Sequence, residues 1–373
     1  MTETRDWPDR LRSQMSEHGE ARQLPREAFV SPEAVELDRR LFASSWIPVC
    51  HQSEIALPGV FSAVDVFGER LIVVRGADLE LRAFFDRCVH RGTPLTEGEG
   101  GRLERLELVC PYHGASYDLG GRPRAPDVIR LGLAGRSLER ALVSERFGFV
   151  FVAAREPPRP LQDEAAPPWL ERASLHALRL AHRARHDVAA NWKLCVENFQ
   201  ESHHFGPVHP SLERLTPFSR SSSHDFGGRF LGGSMDLVSE AETVSESRAL
   251  QGRRFIAAEE DRRIVRDAHL FPGWLTSLQP DYFLSYRIQP RAADRTSIVA
   301  EIYLHRESPP ASEPDVVAFW ERTNAEDRTI CERQHRGIAS PSYTPGPYAP
   351  SEDGVHGFDR LVASAYLRLV TAP

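Results

Sequence analysis

From Trp46 onward the chain alternates between short apolar runs and turn residues. Residues 60–67, 70–75 and 81–85 are rich in Val, Ile and Phe, and Pro58-Gly59, Phe67-Gly68-Glu69 and Gly76-Ala77-Asp78 separate them. Short β-type runs at this spacing predict a small all-β domain, with residues 147–152 as its last strand. Pro157, Pro158 and Pro160, followed by Pro167 and Pro168, predict a stiff linker and a boundary. Beyond Trp169 the pattern becomes mixed. It predicts a helix over 191–204, strands near 281–289 and 297–305, a long helix over 313–336 and a last helix over 354–370. In that last helix Val355, Phe358, Leu361, Val362, Tyr366 and Leu369 form an apolar stripe. Residues 1–40 are polar, with a helical rhythm at 32–42. Residues 210–270, rich in Ser, Gly and charge, predict mobile segments over a pocket and no clear element. The division expected is therefore a helical segment at 1–43 packing on the larger domain, an all-β domain at 44–156, a linker at 157–168 and a mixed domain at 169–373. The fold class is α+β.

Composition narrows the partners. The chain has 373 residues, 41% hydrophobic and 27% charged, as in ordinary globular domains. A net charge of -7 and a pI near 6.1 argue against a nucleic-acid or anionic-membrane surface. Nearly all the positive charge is arginine. Lys193 is the single lysine, which reads as genome composition. No apolar run approaches the ~20 residues of a spanning helix. The polar, acidic start lacks the apolar core of a signal peptide, so a cytoplasmic protein is expected. Five cysteines, an odd count, argue against a disulfide framework and favour metal ligation for any cysteine with a role.

Two stretches carry candidate chemistry. In the first, Glu201, His204 and His209 lie within nine positions. Glu201 and His204 would share a helical face, Gly206 and Pro207 would end the helix, and His209 would approach from the following turn. Two imidazoles so placed can hold adjacent corners of a metal polyhedron and leave others free. Alone, the stretch reads more readily as two surface histidines near a helix end. The second stretch lies in the β domain. Cys88-Val89-His90-Arg91-Gly92 and Cys110-Pro111-Tyr112-His113-Gly114 each supply one thiolate and one imidazole. The single-residue gap between Cys88 and His90 fits a zinc finger poorly. Two such pairs fit a Rieske-type [2Fe-2S] cluster, with Cys88 and Cys110 on one iron and His90 and His113 on the other.

With these motifs, and with residues 191–199 (Asn-Trp-Lys-Leu-Cys-Val-Glu-Asn-Phe), the chain resembles the catalytic alpha subunit of Rieske non-haem iron oxygenases. The resemblance covers about Trp46 to Tyr366. It implies a Rieske domain joined to a helix-grip catalytic domain, an antiparallel sheet with long helices. It implies a mononuclear Fe(II) held by His204, His209 and a distant aspartate, for which Asp327 is the candidate. Asp327 falls in the apolar stripe of the long helix, where an unpaired carboxylate would be costly and would need a cation. Its neighbour Glu326 is expected in solvent, and Ser312 with Asp315 is expected to cap the helix. The resemblance makes Asn198 a neighbour of the iron. It makes Glu201 a bridge from His204 to His113 of the next subunit in a head-to-tail homotrimer. Two departures touch no ligand: the interval 91–109 between the pairs is longer than usual, and Ala115 stands where tryptophan is common.

The implied activity is hydroxylation of a small organic substrate with O2. Electrons come from a separate NAD(P)H-dependent reductase, alone or through a ferredoxin. No G-x-G-x-x-G motif follows a strand, so the reductase is another chain. Glu201, Phe271-Pro272 and residues 345–348 lean towards the choline, glycine-betaine and carnitine monooxygenase branch, where hydroxylation next to nitrogen leads to dealkylation. The aromatic residues proposed for the pocket are Phe199, Phe205, Phe218, Phe226, Trp274, Tyr282 and Phe283. A ring-hydroxylating dioxygenase forming cis-diols is the alternative within the family. A Rieske electron carrier without oxygenase activity is the alternative outside it.

Overall fold

The computed structural model describes residues 7–255, 262–309 and 313–371. The chain divides into two compact units, 42–163 and 1–41 with 164–373. Residues 157–160, read above as linker, stay with the smaller unit: Trp46 Nε1 donates to the Arg159 carbonyl at 3.1 Å.

The smaller unit is built from β1 (Ile47–His51), β2 (Val60–Val66), β3 (Glu69–Arg75), β4 (Leu81–Phe85), β5 (Gly100–Arg102), β6 (Glu107–Val109), β7 (Ser116–Asp118), β8 (Arg140–Arg146) and β9 (Phe149–Ala153). Seven of them form one sheet in the order β1-β9-β8-β4-β3-β2-β5, and β6 and β7 pair apart from it. The three turns read from the sequence do separate β1 to β4, because Gly59 and Gly68 adopt the left-handed backbone such turns need. Phe61, Ile72, Val74 and Phe84 from the sheet pack with Leu108, Ala115 and Tyr117 from the small pair. That core presses the two Cys/His loops together.

The larger unit centres on a seven-stranded antiparallel sheet: β10 (Leu178–Val188), β11 (Ser221–Asp225), β12 (Phe230–Asp236), β13 (Ile264–Leu270), β14 (Trp274–Leu278), β15 (Tyr282–Ala292) and β16 (Arg295–His305). Its order, β10-β16-β15-β14-β13-β12-β11, is a meander with β10 brought to the β16 edge. Only β15 and β16 were legible. The stretch 210–270 holds β11, β12 and all of β13 instead of structureless loops. Its strands alternate weakly because serines and glycines face a cavity where apolar side chains would normally face a core. The four longest helices among the described residues complete the unit: α1 (Pro32–Ala43), whose last two residues fall in the smaller unit, α2 (Trp192–Phe199), α3 (Glu313–Ile338) and α4 (Asp353–Thr371). Of the stripe expected on α4, Val355, Phe358, Val362 and Tyr366 are buried, while Leu361 and Leu369 are half-exposed. On α3, Val316, Phe319 and Trp320 join Leu284, Ile302 and Leu304 of the sheet in one apolar cluster. Ser312 lies outside the described residues. Asp315 accepts hydrogen bonds from Ser247 Oγ (2.5 Å) and Gln251 Nε2 (2.7 Å), so it ties that segment to the start of α3.

The single lysine has a structural place. Lys193 on α2 is fully buried; its Nζ lies 2.8 Å from Asp38 Oδ2 on α1 and 2.9 Å from the Tyr366 hydroxyl on α4. The ammonium also sits over the Trp192 ring, 4.8 Å from its centroid. Three helices therefore meet at one buried cation. Replacing Lys193 by Met keeps the stem but leaves Asp38 uncompensated, and the cost of breaking such a pair is about 3–5 kcal/mol. The expected outcome for Lys193→Met is a loss of that order in urea unfolding followed by tryptophan fluorescence. Of the six tryptophans, only Trp46 lies in the smaller unit, so the signal reports the larger one.

Candidate metal centres and active site

The two Cys/His loops of the smaller unit are built alike. In the first, Cys88 N–H donates to the Thr93 carbonyl (2.8 Å) and Gly92 N–H to the Cys88 carbonyl (2.8 Å). In the second, Cys110 N–H donates to Ala115 (2.8 Å) and Gly114 N–H to Cys110 (3.0 Å). Gly92 and Gly114 have φ of 75° and 69°, where a side chain would be strained. Each loop thus folds back on its own cysteine and projects its histidine. The His90 and His113 rings face one another, centroids 4.9 Å apart and planes at 69°. The Nδ1 atom of each is buried and has no hydrogen-bond partner. Burial raises the Cys110 thiol, but the Tyr112 and His113 backbone N–H groups and the neighbouring Cys88 and Thr93 bring it net below its ordinary value. Two thiols and two orphaned imidazole nitrogens on these paired loops fit the donor set of a Rieske cluster, and buried polar atoms are otherwise rarely left unpaired. Tyr117, which the sequence reading passed over, places its hydroxyl 3.1 Å from Cys88 Sγ. No motif marks it; only the pairing of β6 with β7 brings it there.

In the larger unit the helix expected over 191–204 stops early. α2 ends at Phe199, and Glu201 lies in an irregular stretch. Gly206 and Pro207 do not end that helix. They belong to a separate turn of helix, Phe205–Val208, where proline's missing N–H is harmless in the first turn. Pro210 opens another turn at its first position, Pro210–Glu213, and leaves His209 at the junction with φ −119° and ψ 64°. The break rotates the two histidines towards one another, with ring centroids 5.0 Å apart.

One donor atom each from His204, His209 and Asp327 lies within 4.8 Å of the others. His209 Nε2 is 2.8 Å from Asp327 Oδ1, and His204 Nε2 is 3.6 Å from the same oxygen. The other nitrogen of each ring is taken. His204 Nδ1 bonds Glu201 Oε1 at 2.6 Å, and His209 Nδ1 bonds Glu326 Oε2 at 2.7 Å. Glu326 is therefore not a solvated neighbour, as the amphipathic reading had it. Asp327 lies at the edge of the stripe, and the side chain one position earlier reaches His209 round the helix. Asn198, at the end of α2, places Nδ2 3.1 Å from His204 Nε2 and 3.2 Å from Asp327 Oδ1. Burial disfavours a charged His204, yet Asp327 and Glu201 outweigh it and raise the ring to about 9. His209 is raised as well, against burial, by Asp327 and Glu326. Burial would raise Asp327, but the two histidines hold it below the usual carboxylate value. Two imidazoles pointing Nε2 inward, with one carboxylate, are a donor set that fits a non-haem Fe(II) ion. The Glu201 and Glu326 carboxylates behind them are the outer partners that fix ring orientation.

This cluster opens on a cavity of about 590 Å³, within the usual range for small-molecule sites. Phe199, Phe205 and Phe218 line it, as expected; Phe226, Trp274, Tyr282 and Phe283 do not, and the last three are core. Tyr286 and Trp320 contribute instead.

A β unit shaped to store electrons, carried in one chain with a sheet-and-helix unit shaped to hold one iron beside a cavity, defines a terminal oxygenase of the Rieske non-haem iron class. The family described as "Ring hydroxylating alpha subunit (catalytic domain)" matches residues 175–368, and "Rieske [2Fe-2S] domain" matches residues 45–130. The chain belongs to the ring-hydroxylating alpha-subunit family, so it is an oxidoreductase carrying a [2Fe-2S] cluster and a mononuclear iron. It is 27% identical to the glycine betaine monooxygenase oxygenase subunit of Chromohalobacter salexigens, over 94% of this chain and 86% of that one. It is 33% identical to the carnitine monooxygenase oxygenase subunit of Acinetobacter baumannii, over 51% and 53%. The solved quaternary ammonium Rieske monooxygenase CntA has the same fold, with a TM-score of 0.81 over 97% of this chain and 98% of that one at 24% identity. The match to the catalytic domain sets the carrier-only reading aside. Among the described residues no helix is long and apolar enough to cross a membrane.

Hydrogen bonds to cluster sulfur raise its reduction potential. Tyr117→Phe removes the one to Cys88 without touching a loop. The expected outcome is a lower midpoint potential at unchanged cluster content, read by an EPR-monitored redox titration.

Proposed function

We propose that the chain is the oxygenase component of a monooxygenase that hydroxylates a methylated amine at the carbon next to nitrogen. Its electrons come from a separate NAD(P)H-dependent reductase. The observation that carries the substrate class is the near-full-length likeness to a glycine betaine monooxygenase subunit. The cavity supports it: its size suits a small substrate, and aromatic rings beside acidic groups suit a methylated cation. In balance, one substrate C–H, O2, two electrons and two protons give a carbinolamine and water. The carbinolamine then loses its C–N bond to release an aldehyde and the smaller amine.

In this reading Cys88, Cys110, His90 and His113 hold the [2Fe-2S] cluster, and His204, His209 and Asp327 hold the iron. The bound iron supplies O2 activation. The protein's own part is geometric. Glu201 and Glu326 keep both Nδ1 atoms occupied, so both Nε2 atoms face Asp327. Asn198 bonds both His204 and Asp327 and limits their spread. Phe199, Phe205 and Leu284 keep the cavity floor apolar and shed water on substrate entry. Glu201 has a second task. Its carboxylate bonds the His204 ring through one oxygen, and among the described residues the other accepts only the His204 backbone N–H at 3.2 Å. That oxygen is available to His113 of a neighbouring copy in a homotrimer, which would complete an electron path between subunits. The report on CntA describes inter-subunit electron transfer in that protein.

His204→Ala is expected to lose about one iron per chain by metal analysis while keeping the EPR signature of the cluster; unchanged iron would end the proposal. Glu326→Ala keeps all three ligands but frees the His209 ring. Iron affinity is expected to fall about 10- to 100-fold, read by competition with a chelator. With labelled O2, turnover of glycine betaine or carnitine is expected to release an aldehyde carrying one labelled oxygen. A cis-diol carrying two, formed from an arene, would favour the dioxygenase instead.

A further inference from the structure

The sheet wall of the cavity carries an acidic side chain that the iron site does not use. Asp267 lies on β13 with its carboxyl on the cavity wall. Among the described sheet residues that line the cavity, it carries the only carboxylate. Its register partners explain why it is open. Across β12 it faces Gly233, which has no side chain, and across β14 it faces Ser277. Directly paired residues of an antiparallel sheet share a face, so a side chain at position 233 would stand over the carboxyl. A Cβ there would also meet the Ser222 carbonyl at 2.8 Å. On the other side Gln279 Nε2 donates to Ser277 Oγ at 2.8 Å, which turns the serine hydroxyl towards Asp267. Among the described residues that hydroxyl is the one hydrogen-bond partner of the carboxyl. Asp267 Oδ1 is buried and has none, and Gln279 Oε1 beside it also has none.

An unpaired carboxylate in a dry wall is a cost. Burial alone pushes Asp267 up to about 7, and no arginine, lysine or histidine among the described residues compensates it. Orphaned acceptors without a donor opposite describe a site shaped for a ligand that brings the positive charge. Tyr286, whose hydroxyl donates to Asn324 Oδ1 at 3.2 Å, feels both Asp267 and Asp327, so the carboxyl is within electrostatic reach of the iron site.

We infer that Asp267 is the specificity-determining anchor for the cationic nitrogen of the substrate, holding its carbon neighbours towards the iron. The inference rests on the methylated-amine reading above and assigns its charge recognition to one residue. It requires a cationic amine small enough for the cavity, and it excludes neutral arenes of the same shape as good ligands.

The test compares two isosteric pairs on the iron-loaded protein without O2: choline with 3,3-dimethylbutan-1-ol, and glycine betaine with 3,3-dimethylbutanoate. Each pair differs by a quaternary nitrogen against a quaternary carbon. Dissociation constants come from calorimetric titration. The wild type is expected to prefer each cation by about tenfold or more. Asp267→Asn, nearly the same shape, is expected to abolish that preference by weakening the cation and leaving the carbon analogue unchanged. A second measurement guards against misfolding. Removing an unpaired buried carboxylate relieves its desolvation, so ligand-free Asp267→Asn is expected to melt no lower than the wild type. If the variant keeps the preference, or melts well below the wild type, Asp267 is not the anchor and the substrate reading survives. If the wild type itself shows no preference, the methylated-amine reading falls and this inference falls with it.

Discussion

The active site depends on two short hydrogen bonds that never touch the substrate. Glu201 holds His204 through Nδ1, and Glu326 holds His209 through Nδ1, at 2.6 and 2.7 Å. An imidazole has two nitrogens, and the one that binds a metal is decided by what the other is doing. Here both outer nitrogens are engaged by carboxylates, so both inner ones converge on Asp327. Without either carboxylate the ring could rotate or present the wrong nitrogen, and the facial set would be lost while its three members remained. The rest of the larger unit serves this arrangement. The sheet and α3 supply a rigid wall, and Lys193 pins α2, which carries Asn198.

Each centre solves the same folding problem differently. The cluster loops are local: each cysteine is bonded to residues four and five positions later, so each loop closes on its own residues. The His204, His209 and Asp327 cluster is assembled from afar. His209 and Glu326 are 117 residues apart in the chain, and Asn198 and Asp327 are 129 apart. Its geometry exists only once α3 lies across the sheet. The local motif is therefore readable as text, and the assembled one is not.

That difference explains what the sequence could tell. The β hairpins, the long helices and the Cys/His pairs were legible, because each rests on short-range pattern. The family resemblance pointed to Asp327, which lies with His204 and His209 and which periodicity alone would only have marked as an awkward acid on an apolar stripe. Glu326 was misread because a stripe assigns positions to two faces, while a side chain at the boundary can reach either. The helix over 191–204 was drawn too long because nothing in its spacing marks the break after Phe199, and the break is what lets His204 and His209 converge. β11 to β13 escaped notice because a strand that lines a cavity carries Ser and Gly where a strand that lines a core carries Val and Ile. Weak alternation there is a record of the cavity, not of missing structure.

The same balance of charge runs through the whole site. Glu201, Glu326 and Asp327 surround two imidazoles, so with neutral rings the cluster has three negative charges and no positive one. Without a metal, protons make up part of the deficit, which is why the carboxylates lift His204 to about 9. A divalent cation replaces those protons and still leaves the surroundings net negative. Asp267 adds a further carboxyl to the same cavity, and Tyr286 lies within the field of both acids. A neutral ligand entering such a cavity would leave each of these acids as poorly compensated as before. A cationic one lowers the energy of Asp267 without competing with the iron for its ligands. Under the proposed function, charge divides the acids of this cavity between two cations, the bound iron and the passing substrate.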